Sequence, residues 1–315
     1  MKIKKLLVLL LSVILLTGCD TYQVKEDSQG NAVLSKETKI NEIINDPMFS
    51  EFGRLLFPTD LKIYPEDTLN DLELIMKYNT NVDVDNTVEV FNYMKDQINT
   101  GNKIFYKLYT PEEIEGDNTL NNVGLFFFKG DDNAKFAINV PGSNYEYISA
   151  IQDGFPISLN LAKDGYNAFT LVYRPDKDKA QEDLSRAIKY IFEHKEVFKV
   201  DTNGYSLWGA DVGGNIVNTL TINNTGESYP NPAIVVLQYA PINEVTGKER
   251  PTYSVVGSTD QLYKLVEQRN VALKNAGVKS ENNTYVGLDH GFGLGKNTPA
   301  EGWINNAIRF WIESI

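Results

Sequence analysis

Apolar residues along the chain fall into two alternating patterns. "KIFYKLY" (103–109), "VGLFFFKG" (123–130), "KFAINVPG" (135–142), "YNAFTLVYRP" (166–175), "GYSLWGAD" (204–211), "AIVVLQYA" (233–240) and "TYSVVGS" (252–258) are short runs rich in Val, Ile, Phe and Tyr. Runs of this kind, bounded by Gly, Pro and Asp, read as strands buried on both faces. Between them lie stretches with helical spacing. One spans residues 150–163. In "KAQEDLSRAIKYIFEH" (179–194), Leu184, Ile188 and Ile191 share a face with Ala187, and in "DQLYKLVEQRNVALKNAG" (260–277) Gly277 stands where a C-cap belongs. "NTYVGLDHG" supplies a last strand and "EGWINNAIRFWIESI" a last helix. The first two strands, separated by the polar "TPEEIEGDNTLNN", predict a hairpin-like opening. The alternation as a whole predicts an α/β fold with a mostly parallel central sheet and helices on both faces. Residues 39–100 are helical and irregular in pattern and are read as a small N-terminal lobe packed against this domain, which occupies 101–315.

The first residues follow other rules. Lys2, Lys4 and Lys5 precede an apolar run, Leu6 to Leu16, that is too short to span a bilayer. It ends in Leu16-Thr17-Gly18-Cys19, which resembles the lipobox of bacterial lipoprotein signal peptides. The resemblance implies cleavage after residue 18, lipidation of Cys19 and a cell-membrane anchor facing the extracytoplasmic side. The polar stretch 19–38 then reads as a tether.

Composition narrows the chemistry. Cys19 is the single cysteine, so a lipidated Cys19 leaves no thiol for a disulfide or a thiolate metal site. Loss of residues 1–18 takes three lysines from 30 basic side chains and leaves 27 against 42 acidic ones, a balance of −15. Such a charge repels nucleic acid. With two distant histidines, no metal site is expected, and no cofactor motif is present: "GFGLG" after His290 lacks the Lys-Ser/Thr pair of a phosphate loop.

Three strand-end loops carry complementary groups. "SLWGADVGGN" has the layout of a nucleophile elbow, with Gly209 and Gly213 flanking Asp211 where a G-x-S-x-G motif has Ser. "VVGSTD" ends a later strand with Asp260, and "GLDHGFGLG" follows the last strand with His290. Asp260 can also cap the helix beside it, Asp289 is a rival acid, and His194 reads as a solvated residue in a helix's last turn. In "VPGSNYEY", the backbone N–H groups of Gly142, Ser143 or Asn144 can face that of Val212 to form an oxyanion hole.

With "GLFFFKG", "GYNAFTLVYRP", "QYAPINEVTG" and "HGFGLGKNTPAEGW", these segments resemble the α/β-hydrolase esterase/lipase group, including bacterial lipoproteins and acetyl-xylan or feruloyl esterase relatives. The resemblance covers roughly 103–315. It implies an α/β-hydrolase fold, His290 as base, Asp260 as its orienting acid, and a small-molecule or carbohydrate ester as ligand. Asp211 departs from it. Carboxylate attack on an ester carbonyl yields an anhydride, whereas Asp nucleophiles suit sp³ carbon. The dehalogenase-like pattern, with Trp after the Asp and an inserted helical cap, is not met: Val212 follows, and only "PINEVTGKERP" joins the adjacent strands. Two readings stand open: a hydrolase using water activated by His290, and a ligand-binding pseudo-esterase in which Asp211 raises the histidine's pKa.

Overall fold

The computed structural model describes residues 33–142 and 144–315. Cys19, the signal segment and most of the tether lie outside the described residues, as does Ser143. Among the described residues no helix is long and apolar enough to cross a membrane.

Eight strands form one sheet in the order β1-β2-β4-β3-β5-β6-β7-β8. They are β1 (Phe105–Tyr106), β2 (Gly124–Phe128), β3 (Lys135–Val140), β4 (Asn167–Val172), β5 (Asp201–Ala210), β6 (Ile234–Gln238), β7 (Thr252–Gly257) and β8 (Ser280–Tyr285). β2 runs antiparallel to β1 and β4, and every pairing from β4 to β8 is parallel. The apolar runs are buried along their length in β2, β4, β6 and β7, because helices cover both faces. Leu34 to Ile315 form one compact unit with a continuous apolar core.

Two details differ from the sequence reading. β1 and β2 pair antiparallel as expected, but the segment between them is no hairpin loop. It holds a helix, Pro111–Gly116, started by a capping box in which Glu113 N–H donates to the Thr110 hydroxyl oxygen and the Thr110 N–H donates to the Glu113 carboxylate. The last strand begins at Ser280, ahead of the predicted apolar stretch. β8 is an edge strand, so half-buried "SENNTY" suits it where an inner strand needs apolar side chains.

The segment before β1 shares this core. Phe52 packs on Phe105 and Phe126 at 5.1 and 5.4 Å between ring centroids. Helix Val84–Asn99, capped by the Asp83 carboxylate, lies over helix Phe155–Lys163. Ahead of that helix, Tyr78 stacks on Tyr147 at 6.0 Å and brings Asn79 and Thr80 to the carboxyl edge of the sheet.

Candidate functional site

The site lies where β3, β5, β6, β7 and β8 end. β5 runs into the helix Val212–Asn223 through Asp211, which has φ 46° and ψ −125°. A non-glycine residue with positive φ is strained, and at a strand-to-helix turn this is the backbone of a nucleophile elbow. Close backbone approach dictates its glycines. A Cβ on Gly213 would sit 2.0 Å from the Val140 carbonyl oxygen, and one on Gly142 would sit 2.5 Å from the Asp211 Cβ. The elbow, the end of β3 and the loop after it therefore interlock. Asp211 N–H donates to the Gln238 carbonyl at 2.9 Å, tying the apex to β6 as well.

Asp211 is 9% exposed, and its carboxylate faces the loop after β3. Asn144, itself at φ 52°, donates its backbone N–H to Asp211 Oδ2 at 2.8 Å. One amide proposed for an oxyanion hole thus holds a carboxylate oxygen. Gly142 is buried beside the elbow, and its carbonyl accepts from Ser149 N–H at 3.1 Å. Val212 opens the helix, so its N–H belongs to the first turn, where amides have no acceptor within the helix.

His290 and Asp260 come together. Imidazole Nδ1 lies 2.9 Å from Asp260 Oδ2, and the Asp260 side chain is fully buried. Its other oxygen, Oδ1, accepts from Leu262 N–H at 2.8 Å, so Asp260 both orients the histidine and supports the start of the helix beyond. Asp289 is exposed, and its carboxylate accepts from the His290 backbone N–H at 2.8 Å. It does not compete for the ring. His194 lies far along the chain, C-capping helix Lys177–Glu193 and stacking on Tyr190 at 4.1 Å.

Sequence reasoning missed a polar layer behind the histidine. Tyr239, at φ 39° just past β6, packs against the His290 ring at 4.7 Å between centroids. Its hydroxyl donates to Asp153 Oδ1 at 2.6 Å and accepts from Gly293 N–H at 3.2 Å. Asp153 Oδ2 accepts from Asn79 Nδ2 at 3.1 Å, and Asn79 Oδ1 accepts from the Tyr147 and Ser149 hydroxyls. Thr80 donates both its N–H and its hydroxyl to the His290 carbonyl. Asp153 and Asn79 sit in unremarkable sequence, so no local signal marked them. Tyr239 stood within "QYAPINEVTG" at the end of a strand, and that position was its signal.

Three carboxylates act on the charge of one imidazole. Burial pushes the His290 pKa down, but the hydrogen bond and charge of Asp260, with the charges of Asp211 and Asp153, outweigh it and raise the pKa above the ordinary 6.5. Burial pushes the Asp153 carboxyl up, against the hydrogen bonds from Tyr239 and Asn79. The imidazolium form is thereby stabilised relative to that of a free histidine.

No family model matches the chain. An acetylxylan esterase of Xylanibacter ruminicola is 21% identical over 227 residues, 60% of this chain. The chain spans about half of that relative, 47% of its length. Solved structures are similar over most of their own lengths. An acetyl ester-xyloside bifunctional hydrolase from Caldicellulosiruptor lactoaceticus matches with a TM-score of 0.54 and 21% identity, over 67% of this chain and 95% of that one. A carboxylesterase from Lactobacillus plantarum matches with a TM-score of 0.53 and 17% identity, over 61% and 92%. At such identities the likeness is one of fold, and the sheet order and strained elbow agree with it. The chain has the α/β-hydrolase fold.

Proposed function

We propose that the chain is a ligand-binding pseudo-esterase, anchored outside the cytoplasm through lipid on Cys19, whose pocket receives a small or carbohydrate ester-like ligand without turning it over. The observation that carries this reading is the Asn144 N–H···Asp211 Oδ2 hydrogen bond of 2.8 Å. In an acyl-transfer enzyme an amide at this place stabilises the oxyanion as it develops. Here it serves a resident carboxylate, which fills the position with negative charge and repels a second one. The ligand class comes from the names of the similar proteins, acetylxylan esterase and acetyl ester-xyloside hydrolase.

The lipobox-like Leu16-Thr17-Gly18-Cys19 and the basic residues before it support the anchor. A second reading has one observation in its favour: the Asp260–His290 pair is intact, so His290 could activate water once deprotonated.

The test is to expose the protein to a fluorophosphonate and to p-nitrophenyl acetate. The account expects no covalent adduct at the elbow and no ester turnover beyond that of the His290→Ala variant. His290-dependent turnover that rises with pH would establish the second reading instead.

A further inference from the structure

Asp153 is a buried acid that neither the elbow nor the Asp260–His290 pair uses. It ends the short helix Ala150–Asp153 beyond the loop after β3, and only 2% of it is exposed. The protonation of a buried carboxyl depends on what its neighbours can give or accept. Here both neighbours are set by backbone amides, which only donate. Gly293 N–H donates to the Tyr239 hydroxyl at 3.2 Å, so the phenol proton turns to Asp153 Oδ1 at 2.6 Å. Tyr78 N–H donates to the Tyr147 hydroxyl at 3.2 Å, and that phenol proton goes to Asn79 Oδ1, also at 3.2 Å. Asn79 Oδ1 accepts from the Ser149 hydroxyl as well, at 3.1 Å. With its oxygen committed, the Asn79 amide turns Nδ2 onto Asp153 Oδ2 at 3.1 Å. Each carboxyl oxygen therefore meets a donor. A proton on either oxygen would find no acceptor among these partners, so the network is complete only when Asp153 is a carboxylate. Burial works the other way and pushes the carboxyl up, opposed by these hydrogen bonds and by the charge of His290.

The same segments clamp the histidine loop. Thr80 donates its N–H and its hydroxyl to the His290 carbonyl, and Gln152 Nε2 donates to the Gly291 carbonyl at 3.2 Å. A Cβ on Gly291 would lie 2.8 Å from Asn79 Cα. Tyr239, held by Asp153, packs its ring on the imidazole at 4.7 Å between centroids.

We propose that Asp153 is a positioning residue for His290: as a carboxylate held by Asn79 of the N-terminal segment, it fixes Tyr239 against the imidazole and adds a negative charge behind it. This rests on the reading that His290 belongs to the ligand pocket. The other charged groups at the ring are Asp260 on Nδ1 and Asp211 at the elbow, while Asp289 faces the His290 backbone N–H.

The experiment follows His290 by proton NMR in a His194→Gln background, where it is the one titrating histidine. Asp153→Asn should lower its titration midpoint by about half a pH unit or more, short of the one to three that a contacting charge gives. It sets two amide donors face to face and should lower the melting temperature by about 2–12 °C. Combining Asp153→Asn with Asn79→Asp exchanges donor and acceptor and moves the charge one hydrogen bond farther from His290. This swap should regain the melting temperature while the midpoint stays below that of the parent. A midpoint that does not move in folded Asp153→Asn, or that returns to the parent's in the swap, would make Asp153 a packing residue only and overturn the proposal. If neither variant folds, a crystal structure of the parent at atomic resolution serves. The two Asp153 C–O bonds should be equal, and unequal bonds, the mark of a protonated carboxyl, would overturn the proposal. Ester turnover by the parent would instead overturn the pseudo-esterase reading and leave these results standing.

Discussion

Substituting Gly213 by alanine tests whether the chain truly crosses at the elbow. The added Cβ would lie 2.0 Å from the Val140 carbonyl oxygen and 2.6 Å from that of Pro141. Contacts under 3.0 Å are essentially unknown for a real Cβ, so at least 3.0 − 2.0 = 1.0 Å must be gained by movement. Nothing flexible is available to give way, because both oxygens are backbone atoms at the end of β3. The loop pushed aside is the one that carries Gly142 and Asn144. Overpacking into a close-packed interior costs about 1–3 kcal/mol, and a backbone obstacle puts this case at about 3. For a body of this size that corresponds to a fall of roughly 6–12 °C in melting temperature. The control is Gly116→Ala, where nothing lies within 4 Å and φ is not positive. It should stay within about 0.5 kcal/mol of the parent. Both variants are followed by circular dichroism during heating. A Gly213→Ala protein that melts together with the parent and Gly116→Ala would refute the interlocked geometry.

Further outcomes follow from the polar groups around His290. Only two histidines are present, so His290 can be followed by proton NMR once His194 is substituted; it should titrate above 6.5, and Asp260→Asn should lower that value. Because the folded pKa is the higher one, His290 stabilises the fold fully below about pH 6.5, and that contribution is lost as pH rises through the raised pKa. A histidine titrating at or below 6.5 would contradict the electrostatic description. Tyr239→Phe strips a hydrogen bond from both Asp153 and Gly293 N–H, and should cost about 1–3 kcal/mol in urea unfolding. No change in the urea midpoint would show that this layer does not support the site. Cys19→Ser should move the protein out of the detergent phase, and unchanged partitioning would count against the lipid anchor.

How far the sequence revealed this arrangement depended on whether a feature is local. The strand runs from "VGLFFF" to "TYSVVG" were legible because inner parallel strands are apolar on both faces. β8 was misplaced because an edge strand carries no such run. The helix after Thr110 was overlooked in a polar stretch, although Thr110-Pro111-Glu112-Glu113 spells a capping box with Pro at the first helical position. Asp211, Asp260 and His290 could be chosen because each stands at a strand end beside glycine or a helix start. Asp153, Asn79 and Tyr239 meet only in the folded chain, across separations of 74 and 86 residues. Likewise, "VPGSNYEY" indicated that amides gather there, yet that Asn144 turns its N–H onto Asp211 depends on two successive positive-φ residues, Asn144 and Tyr145.

The most direct test of the central claim is Asp211→Ser, assayed with a short-chain aryl ester beside the parent and beside Asp211→Ser combined with His290→Ala. Serine would remove the carboxylate that now occupies the Asn144 N–H, lower the negative charge around His290, and place a hydroxyl at the elbow. A single oxyanion donor is worth on the order of 3 kcal/mol, about a hundredfold in rate. The account predicts a parent at background, a single variant at least about a hundredfold above it, and a double variant back at background. A parent already active through His290, with turnover falling when Ser replaces Asp211, would contradict the account and make Asp211 part of a working catalytic site.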